Sequence, residues 1–289
     1  MNEGRGRITR RPAGAAGVKV VSILSGKGGV GKSVFALNLA ERLTALGARV
    51  LLVDADLHFG SIAILANVET GAGFGEYVRS GVPLERVVTA TRHGFDVVAG
   101  GETEPTEPDV TAVARAMERL RREAERYDLV LVDHSSGVSE AAIVMAHASD
   151  VNLLVLVPEI TSISDGYGLY KHLQQIDSNI DCRLVVNRVL SGDEAEFIET
   201  KFLAVCQRFL GHVPGYAGKV GEDSLFRRAV ASQTVLARLE EQSFAVEEVT
   251  SIARHLLGVF GGAVSKGAGD AENSGITINK TPAMADIRE

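Results

Sequence analysis

Eight consecutive residues, Gly26 to Ser33, constrain the fold of this 289-residue chain more than any other stretch. They read Gly-Lys-Gly-Gly-Val-Gly-Lys-Ser and satisfy the phosphate-loop pattern G-x-x-x-x-G-K-[ST]. The pattern stands between an apolar run, Val18 to Leu24, and a helix-like segment, Val34 to Leu46. Glycines in such a loop let backbone N–H groups converge on phosphate oxygens at a helix N-terminus. We therefore predict a nucleotide site here.

The residue types of the loop indicate what each member does. Lys32 is expected to reach the β- and γ-phosphates, and the Ser33 hydroxyl is expected to ligate Mg²⁺. The residues expected to hold the phosphates are Gly28, Gly29, Val30, Gly31, Lys32 and Ser33. A glycine-rich turn without a ligand is the alternative, and the flanking strand and helix disfavour it.

Two further apolar runs end in aspartates. Arg49 to Val53 leads into Asp54-Ala-Asp56, and Leu129 to Val132 leads into Asp133. Because parallel strands place their carboxyl ends at one edge of a sheet, these carboxylates are expected beside the phosphate loop. Carboxylates beside a Mg²⁺-nucleotide can orient the water shell of the ion and position an attacking water. We expect Asp133 to hold the metal ion.

Apolar strands alternate with helical segments along most of the chain, which predicts an α/β fold. We expect one P-loop NTPase domain over residues 18–260. It would contain a mostly parallel sheet of seven or eight strands with helices on both faces, in three α/β/α layers. Residues 1–17 are rich in Gly, Ala and Arg and predict a flexible basic arm. Residues 261–289 predict a disordered tail.

Composition narrows the class further. The net charge of −7 argues against a surface that is one nucleic-acid platform, so nucleic acid is not an expected partner. Cys182 and Cys206 have no metal-ligand spacing and suit buried thiols in a reducing cytoplasm. No apolar run reaches the length of a bilayer span. We expect a cytoplasmic protein with, at most, peripheral contact at the inner face of the cell membrane.

Three segments resemble one known family. The run from Lys27 to Ser33 resembles the deviant Walker A loop of the MinD/ParA family of P-loop ATPases, in which a second lysine follows the first glycine. Val50 to Leu65 resembles the Walker A′ segment of that family. Pro158 to Tyr167 is most similar to its flagellar branch, FlhG, also called FleN or YlxH. The resemblance covers about Lys19 to Val259.

The resemblance implies an ATP-dependent molecular switch that binds ATP, ADP and Mg²⁺ and hydrolyses ATP slowly. Lys27 is implied to cross the interface of an ATP-bound homodimer and touch the nucleotide of the other subunit. Asp54 is implied to support the metal ion, and Asp56 to position the hydrolytic water. Asp56, Lys27 and Lys32 would then form the catalytic set.

The resemblance also implies a base contact and a biological role. Asn187 ends an apolar strand, and the family uses the matching amide to pair with adenine. Arg188, Pro214 and a loop over Gly215 to Gly221 are expected near the base, whereas a plain turn asparagine is the alternative for Asn187. The flagellar branch implies control of flagellar number or placement. Its partners would be the SRP-type GTPase FlhF and flagellar components, with transient membrane contact.

Four residues depart from the family pattern, namely His58, His134, Ser135 and Ser136. They leave the rate of hydrolysis open, and they raise an alternative of another class, a nonhydrolysing nucleotide-bound scaffold. A Ser–His–Asp hydrolase is disfavoured, because neighbours on one loop do not readily reach triad geometry.

Two alternatives within the family are a MinD-type division-site regulator and a ParA-type partition ATPase. The first would need a membrane-binding helix near the C-terminus. The helix predicted over Val246 to Phe260 has an apolar face, but its polar face opens with Glu247 and Glu248, which suits anionic lipid poorly. We expect core packing for this helix. The partition ATPase would need a basic DNA-binding face.

Overall fold

The apolar runs of the sequence form the strands of one sheet in a computed structural model, which describes residues 17–57, 60–100 and 109–261. The predicted arm and tail lie outside these ranges except for Gly17 and Gly261, and His58 also lies outside them. The strands are β1 (Lys19–Leu24), β2 (Val50–Asp54), β3 (Val88–Ala90), β4 (Asp96–Val98), β5 (Leu129–Asp133), β6 (Val151–Leu156), β7 (Cys182–Val189) and β8 (Gly215–Gly221).

Helices connect these strands. In the described residues they are α1 (Lys32–Ala45), α2 (Ile62–Ala66), α3 (Phe74–Ser80), α4 (Leu84–Val87), α5 (Val110–Glu123), α6 (Glu140–His147), α7 (Ile160–Ile176), α8 (Gly192–Leu210), α9 (Ser224–Ala231), α10 (Leu236–Leu239) and α11 (Phe244–Val259). Several begin with a side-chain cap: Asp109 accepts a hydrogen bond from Thr111 N at the start of α5, and Ser191 accepts one from Glu194 N at the start of α8.

In the part of the chain that the structure describes, the sheet has eight strands in the order β3-β4-β2-β5-β1-β6-β7-β8. Neighbouring strands in it run parallel, except that β3 is antiparallel to β4. The predicted fold class is therefore confirmed. The phosphate loop follows β1, which lies between β5 and β6, and the register pairs Asp54 at the end of β2 with Asp133 at the end of β5.

Helices cover both faces of the sheet. Phe35, Leu39 and Leu43 of α1 pack with residues of α11 on one face. On the other face, α5 and α6 pack over the strands near β2, and α7 and α8 pack over β6 and β7. Cys182 and Cys206 are free and buried in this second layer, as predicted. Burial raises the pKa of the Cys206 thiol to about 12.

The prediction of a loop over Gly215 to Gly221 is wrong, because these residues form the edge strand β8. Its glycines disfavour a strand assignment from propensity. The packing explains them, since a methyl group at Gly218 would lie 2.7 Å from Ile252 Cγ1 of α11. The helix approaches this strand so closely that a side chain at position 218 does not fit.

The last described helix, α11, belongs to the core. Its Val249, Ile252 and Leu256 are buried and pack with α1 and β8. The expectation of core packing for Val246 to Phe260 is confirmed. None of the helices in the described ranges has the length and apolar character needed to cross a membrane.

Candidate nucleotide site

The phosphate loop is shaped by two glycines in left-handed conformation. Gly29 has φ 78° and Gly31 has φ 84°, and glycine adopts these values without the steric penalty of a side chain. Gly31 is followed directly by α1, which no side chain caps. The first N–H groups of α1 are thus available to an anion, and the helix N-terminus adds partial positive charge.

Lys32 and Asp133 form a buried ion pair beneath this loop. The Lys32 ammonium donates to Asp133 Oδ1 over 2.7 Å, and less than a tenth of either side chain is exposed. Burial raises the pKa of Asp133 above its ordinary range, while Lys32 and a hydrogen bond from Ser33 oppose that shift. The structure therefore brings the predicted Lys32, Ser33 and Asp133 into one cluster.

Asp54 and Asp56 lie at the same edge. Asp54 is buried, and burial together with the neighbouring Asp133 raises its pKa to about 7. Its Oδ1 accepts a hydrogen bond from Asp56 N at 3.1 Å, and its Oδ2 accepts one from Ile62 N at 3.0 Å. Asp54 thus holds the backbone that carries Asp56. The partly buried Asp56 carboxylate interacts electrostatically with both Asp54 and Asp133.

Lys27 is held within its own chain. Its ammonium donates to the Glu159 carboxylate, and it also donates to Thr161 Oγ1 at 3.0 Å. About a third of the Lys27 side chain and half of the Glu159 side chain remain exposed. Lys27 lowers the pKa of Glu159 by hydrogen bonding and by charge. Lys27 therefore lies at the surface of the loop, where its ammonium can exchange Glu159 for another anionic group.

The loop also touches the predicted base contact. Asn187 Nδ2 donates to Val30 O at 2.7 Å, and a methyl group at Gly31 would lie 2.7 Å from the same nitrogen. A cavity of about 500 Å³ opens at this point. Its lining comes from the loop, α1, β7, the connection after β8 and α9, and comprises Gly31, Val34, Asn187, Arg188, Glu222, Phe226, Arg227, Val230 and Ala231.

Pro214 does not belong to this cavity. Because β8 runs parallel to β7 and pairs Gly215 with Arg183, Pro214 lies at the amino edge of the sheet, opposite the phosphate loop. The prediction that Pro214 contacts the base is therefore wrong. Residues after β8 take the place foreseen for it: Glu222, which accepts from Arg188 Nε at 2.7 Å, and Phe226. Sequence reasoning missed both residues because it misplaced β8.

The His134 side chain is fully buried and lies against Ser22 of β1. Its Nε2 lies 2.7 Å from Ser22 Oγ, and that hydroxyl lies 2.8 Å from Ser149 Oγ. Burial, with a smaller effect of Lys32, lowers the pKa of His134 to about 3, so the ring is neutral near pH 7. Ser136 instead lies near the loop, since a methyl group at Gly28 would lie 3.4 Å from its Oγ. These residues do not converge on a hydrolase triad.

The residues present fit a Mg²⁺-nucleotide. Among the described residues, no group of three His, Cys, Asp or Glu side chains forms a ready cation cage. A Mg²⁺ ion bound to phosphates does not need such a cage. It keeps several water ligands and binds few carboxylates besides the phosphate oxygens. Ser33 and Asp133 lie together beside the loop, and Asp54 is their neighbour in register.

The fold and this loop define a P-loop NTPase. The ParA family, described as NUBPL iron-transfer P-loop NTPase, matches residues 17–177. The chain belongs to the ParA family. Proteins of the MinD/ParA type are in general ATPases that act as switches.

Similar proteins include flagellar regulators. Antiactivator FleN of Pseudomonas aeruginosa is 29% identical over 218 residues, which cover 75% of this chain and 78% of that protein. Flagellum site-determining protein YlxH of Helicobacter pylori is 23% identical over 239 residues, or 81% of this chain and 80% of that one. The fold matches septum site-determining MinD of Pyrococcus horikoshii, solved with Mg-ADP, at a TM-score of 0.72 and 19% identity. That match covers 86% of this chain and 99% of the other.

Proposed function

We propose that this protein is an ATPase switch that dimerises when ATP is bound and helps to set flagellar number or placement. The observation that carries the proposal is the cluster of Lys32, Ser33 and Asp133 under the phosphate loop, with Asp56 beside it. The likeness to FleN and YlxH supports the flagellar part. FlhF, flagellar components and transient contact of a cytoplasmic protein with the membrane belong to the same proposal.

The chemistry follows from the positions of the side chains. The loop N–H groups and Lys32 bind the β- and γ-phosphates, and Ser33 and Asp133 would hold Mg²⁺, with Asp54 supporting them. When bound, the ion neutralises phosphate charge. Asp56 orients a water for in-line attack on the γ-phosphorus. The bond from that phosphorus to the bridging oxygen breaks, which yields ADP and phosphate.

The cavity beside Asn187 is the proposed binding site for the adenine base. Apolar Val34 and Phe226 can contact the flat faces of adenine, while the Asn187 amide can pair with its donor–acceptor edge. The ion pair between Arg188 and Glu222 lies at the rim and can limit the size of the base that enters. The site thus has room for phosphates at one end and a purine at the other.

Exposed apolar residues support a second copy of the chain as the partner. Val138, Ile160 and Leu190 follow β5, β6 and β7, so they lie at the phosphate-loop edge of the sheet, and they are 49%, 87% and 81% exposed. Lys27 lies at this edge as well. A face-to-face dimer would bury these side chains and bring Lys27 toward the nucleotide of the other subunit.

Size measurements with ATP and with ADP test the proposal. We expect wild type to dimerise with ATP only, Asp56→Ala to form a lasting ATP dimer, and Lys27→Ala to stay monomeric. Phosphate release should be slow in wild type and absent in Asp56→Ala. Equal release by these two proteins would instead support the nonhydrolysing scaffold. The flagellar part is tested by counting flagella in a deletion strain that expresses wild type or Asp56→Ala.

A further inference from the structure

Two glycines make an unusually close backbone contact behind Asp56. A methyl group at Gly100, which follows β4, would overlap the Asp56 carbonyl oxygen and lie 2.7 Å from Gly60 Cα. A methyl group at Gly60 would lie 2.7 Å from Gly100 Cα and 3.0 Å from Asp54 Oδ2. Neither glycine has a left-handed φ. Close approach, rather than backbone conformation, therefore excludes a side chain at both positions.

The Asp54 carboxylate borders both glycines, since a methyl group at Gly100 would lie 3.2 Å from Asp54 Cγ, and it holds the same backbone. The Asp54 carboxylate accepts hydrogen bonds from Asp56 N and from Ile62 N, and it is buried. Asp56 is thus held at two backbone atoms: its amide donates to Asp54, and its carbonyl oxygen lies against Gly100. A side chain at position 100 would have to displace the Asp56 backbone, because no flexible group stands between them.

We propose that Gly100 and Gly60 are positioning residues for ATP hydrolysis, which hold Asp56 at the distance from the phosphate loop that in-line attack requires. This inference rests on the proposed function, in which Asp56 orients the attacking water. Displacement of a reacting group by about 1 Å can slow a reaction about 100-fold. Nucleotide binding depends chiefly on the loop and Lys32, which are not among the nearest contacts of either methyl group, so ATP affinity should change far less than kcat.

A third glycine, Gly73, contacts the backbone at Gly100 and supplies a matched control. Gly73 precedes α3, and a methyl group there would lie 2.8 Å from Ala99 O and 3.1 Å from Gly100 O. Gly73→Ala therefore disturbs the two residues that follow β4, but its nearest contacts do not include Asp54 or Asp56. Gly168 of α7 is a second control, because a methyl group there meets no atom within 4 Å.

The test compares Gly100→Ala, Gly60→Ala, Gly73→Ala and Gly168→Ala in the full chain. The readouts are melting temperature, ATP affinity, lifetime of the ATP dimer and kcat for phosphate release. For Gly100→Ala we expect kcat to fall about 100-fold, ATP affinity to stay within about threefold, and the dimer to persist as in Asp56→Ala. Gly60→Ala should show a smaller loss of the same kind, and Gly168→Ala should keep kcat. Gly73→Ala should lose less kcat than Gly100→Ala, because its methyl group meets Gly100 O but neither aspartate.

The outcomes separate positioning from mere folding. Wild-type kcat in Gly100→Ala would overturn the inference, and so would an equal loss of kcat in Gly73→Ala at the same melting temperature. If Gly100→Ala does not fold, Gly60→Ala provides the test. A lower kcat with wild-type ATP affinity in Gly60→Ala supports the inference, and an unchanged kcat overturns it. Wild type no faster than Asp56→Ala would overturn the proposed function as well, whereas an active wild type with an active Gly100→Ala overturns this inference alone.

Discussion

The Lys32 ammonium lies 2.7 Å from Asp133 Oδ1, although the two residues are 101 positions apart in the chain. The pair is buried, so the charge of each side chain is balanced mainly by the other. An arriving triphosphate offers Lys32 further oxygen partners beside Asp133, and Mg²⁺ would offer Asp133 a second cation. The pair therefore places both groups beside the phosphate loop before the nucleotide arrives.

Replacing Lys32 by the uncharged Met should remove nucleotide binding. We expect the ATP affinity of Lys32→Met to fall by at least about 100-fold, since charge-assisted bonds to two phosphates are lost. Isothermal titration with ATP and Mg²⁺ measures this. Lys201→Ala, which removes an exposed lysine from α8, is the matched control and should bind ATP as wild type does. An unchanged affinity in Lys32→Met would contradict the assigned phosphate contact.

Removing the acidic partner of Lys27 should ease dimerisation. Glu159→Gln keeps the shape of the side chain but loses the charge that holds Lys27 within its own subunit. We expect the ATP concentration for half-dimerisation to fall about threefold, a modest change because the ion pair is exposed. Size measurement across an ATP titration gives this midpoint.

Glu196→Gln provides the control for that titration, because Glu196 is an exposed carboxylate on α8. Its midpoint should equal that of wild type. A higher midpoint in Glu159→Gln would mean that Glu159 acts across the dimer interface, and the competition between partners would be refuted.

The side chain of Asn187 should control base preference. It lies against the phosphate loop through Val30 O and lines the cavity. Asn187→Ala is expected to weaken ATP binding about tenfold, as loss of one or two hydrogen bonds does, and to reduce the preference for ATP over GTP. Competition between the two nucleotides for wild type and variant measures this. The exposed Asn179→Ala should leave the preference unchanged.

Acid should destabilise the protein partly through His134. Its pKa in the fold is about 3, well below the ordinary 6.5, so the unfolded chain takes up a proton that the folded chain excludes. Stability from this group is present above pH 6.5 and is lost as pH falls below that value, by about 2 kcal/mol at pH 5. Urea unfolding without nucleotide at pH 7 and pH 5 should show a smaller drop for His134→Gln. The exposed His172→Gln should keep the wild-type drop.

The core position of α11 predicts unequal effects along one helix. Leu256 is fully buried, so Leu256→Ala should lower the free energy of unfolding by about 3 kcal/mol. Phe244 at the start of α11 is 85% exposed, and Phe244→Ala should change stability by less than about 0.5 kcal/mol. Chemical unfolding measures both. An unchanged free energy of unfolding in Leu256→Ala would contradict the core position of α11.

Much of the candidate site could be read from local pattern. The phosphate loop, the aspartates at the ends of β2 and β5, and Asn187 were all predicted, because each is a residue type at the end of a clear apolar strand. Parallel strands then place such residues at one edge. The prediction for Pro214 was wrong because the strand after it is rich in glycine, and propensity alone assigned that strand to a loop. The error moved the predicted base contact to the wrong edge of the sheet.

Other relationships have no local signal. Nothing near Gly100 in the chain indicates that it rests against Asp56, or that Glu159 holds Lys27. Each contact joins loops that follow different strands, and it depends on which strands are neighbours and on how far each loop extends beyond the sheet.

The chain by itself therefore determined the class of fold, the phosphate loop and the acidic residues beside it, because these follow from residue types at short, regular spacing. Only the tertiary structure decided which of these groups pair, how closely backbones approach at Gly60 and Gly100, and what lines the base cavity. The physical reason is that burial and contact between distant segments arise from the packing of whole elements, which spacing along a chain does not encode.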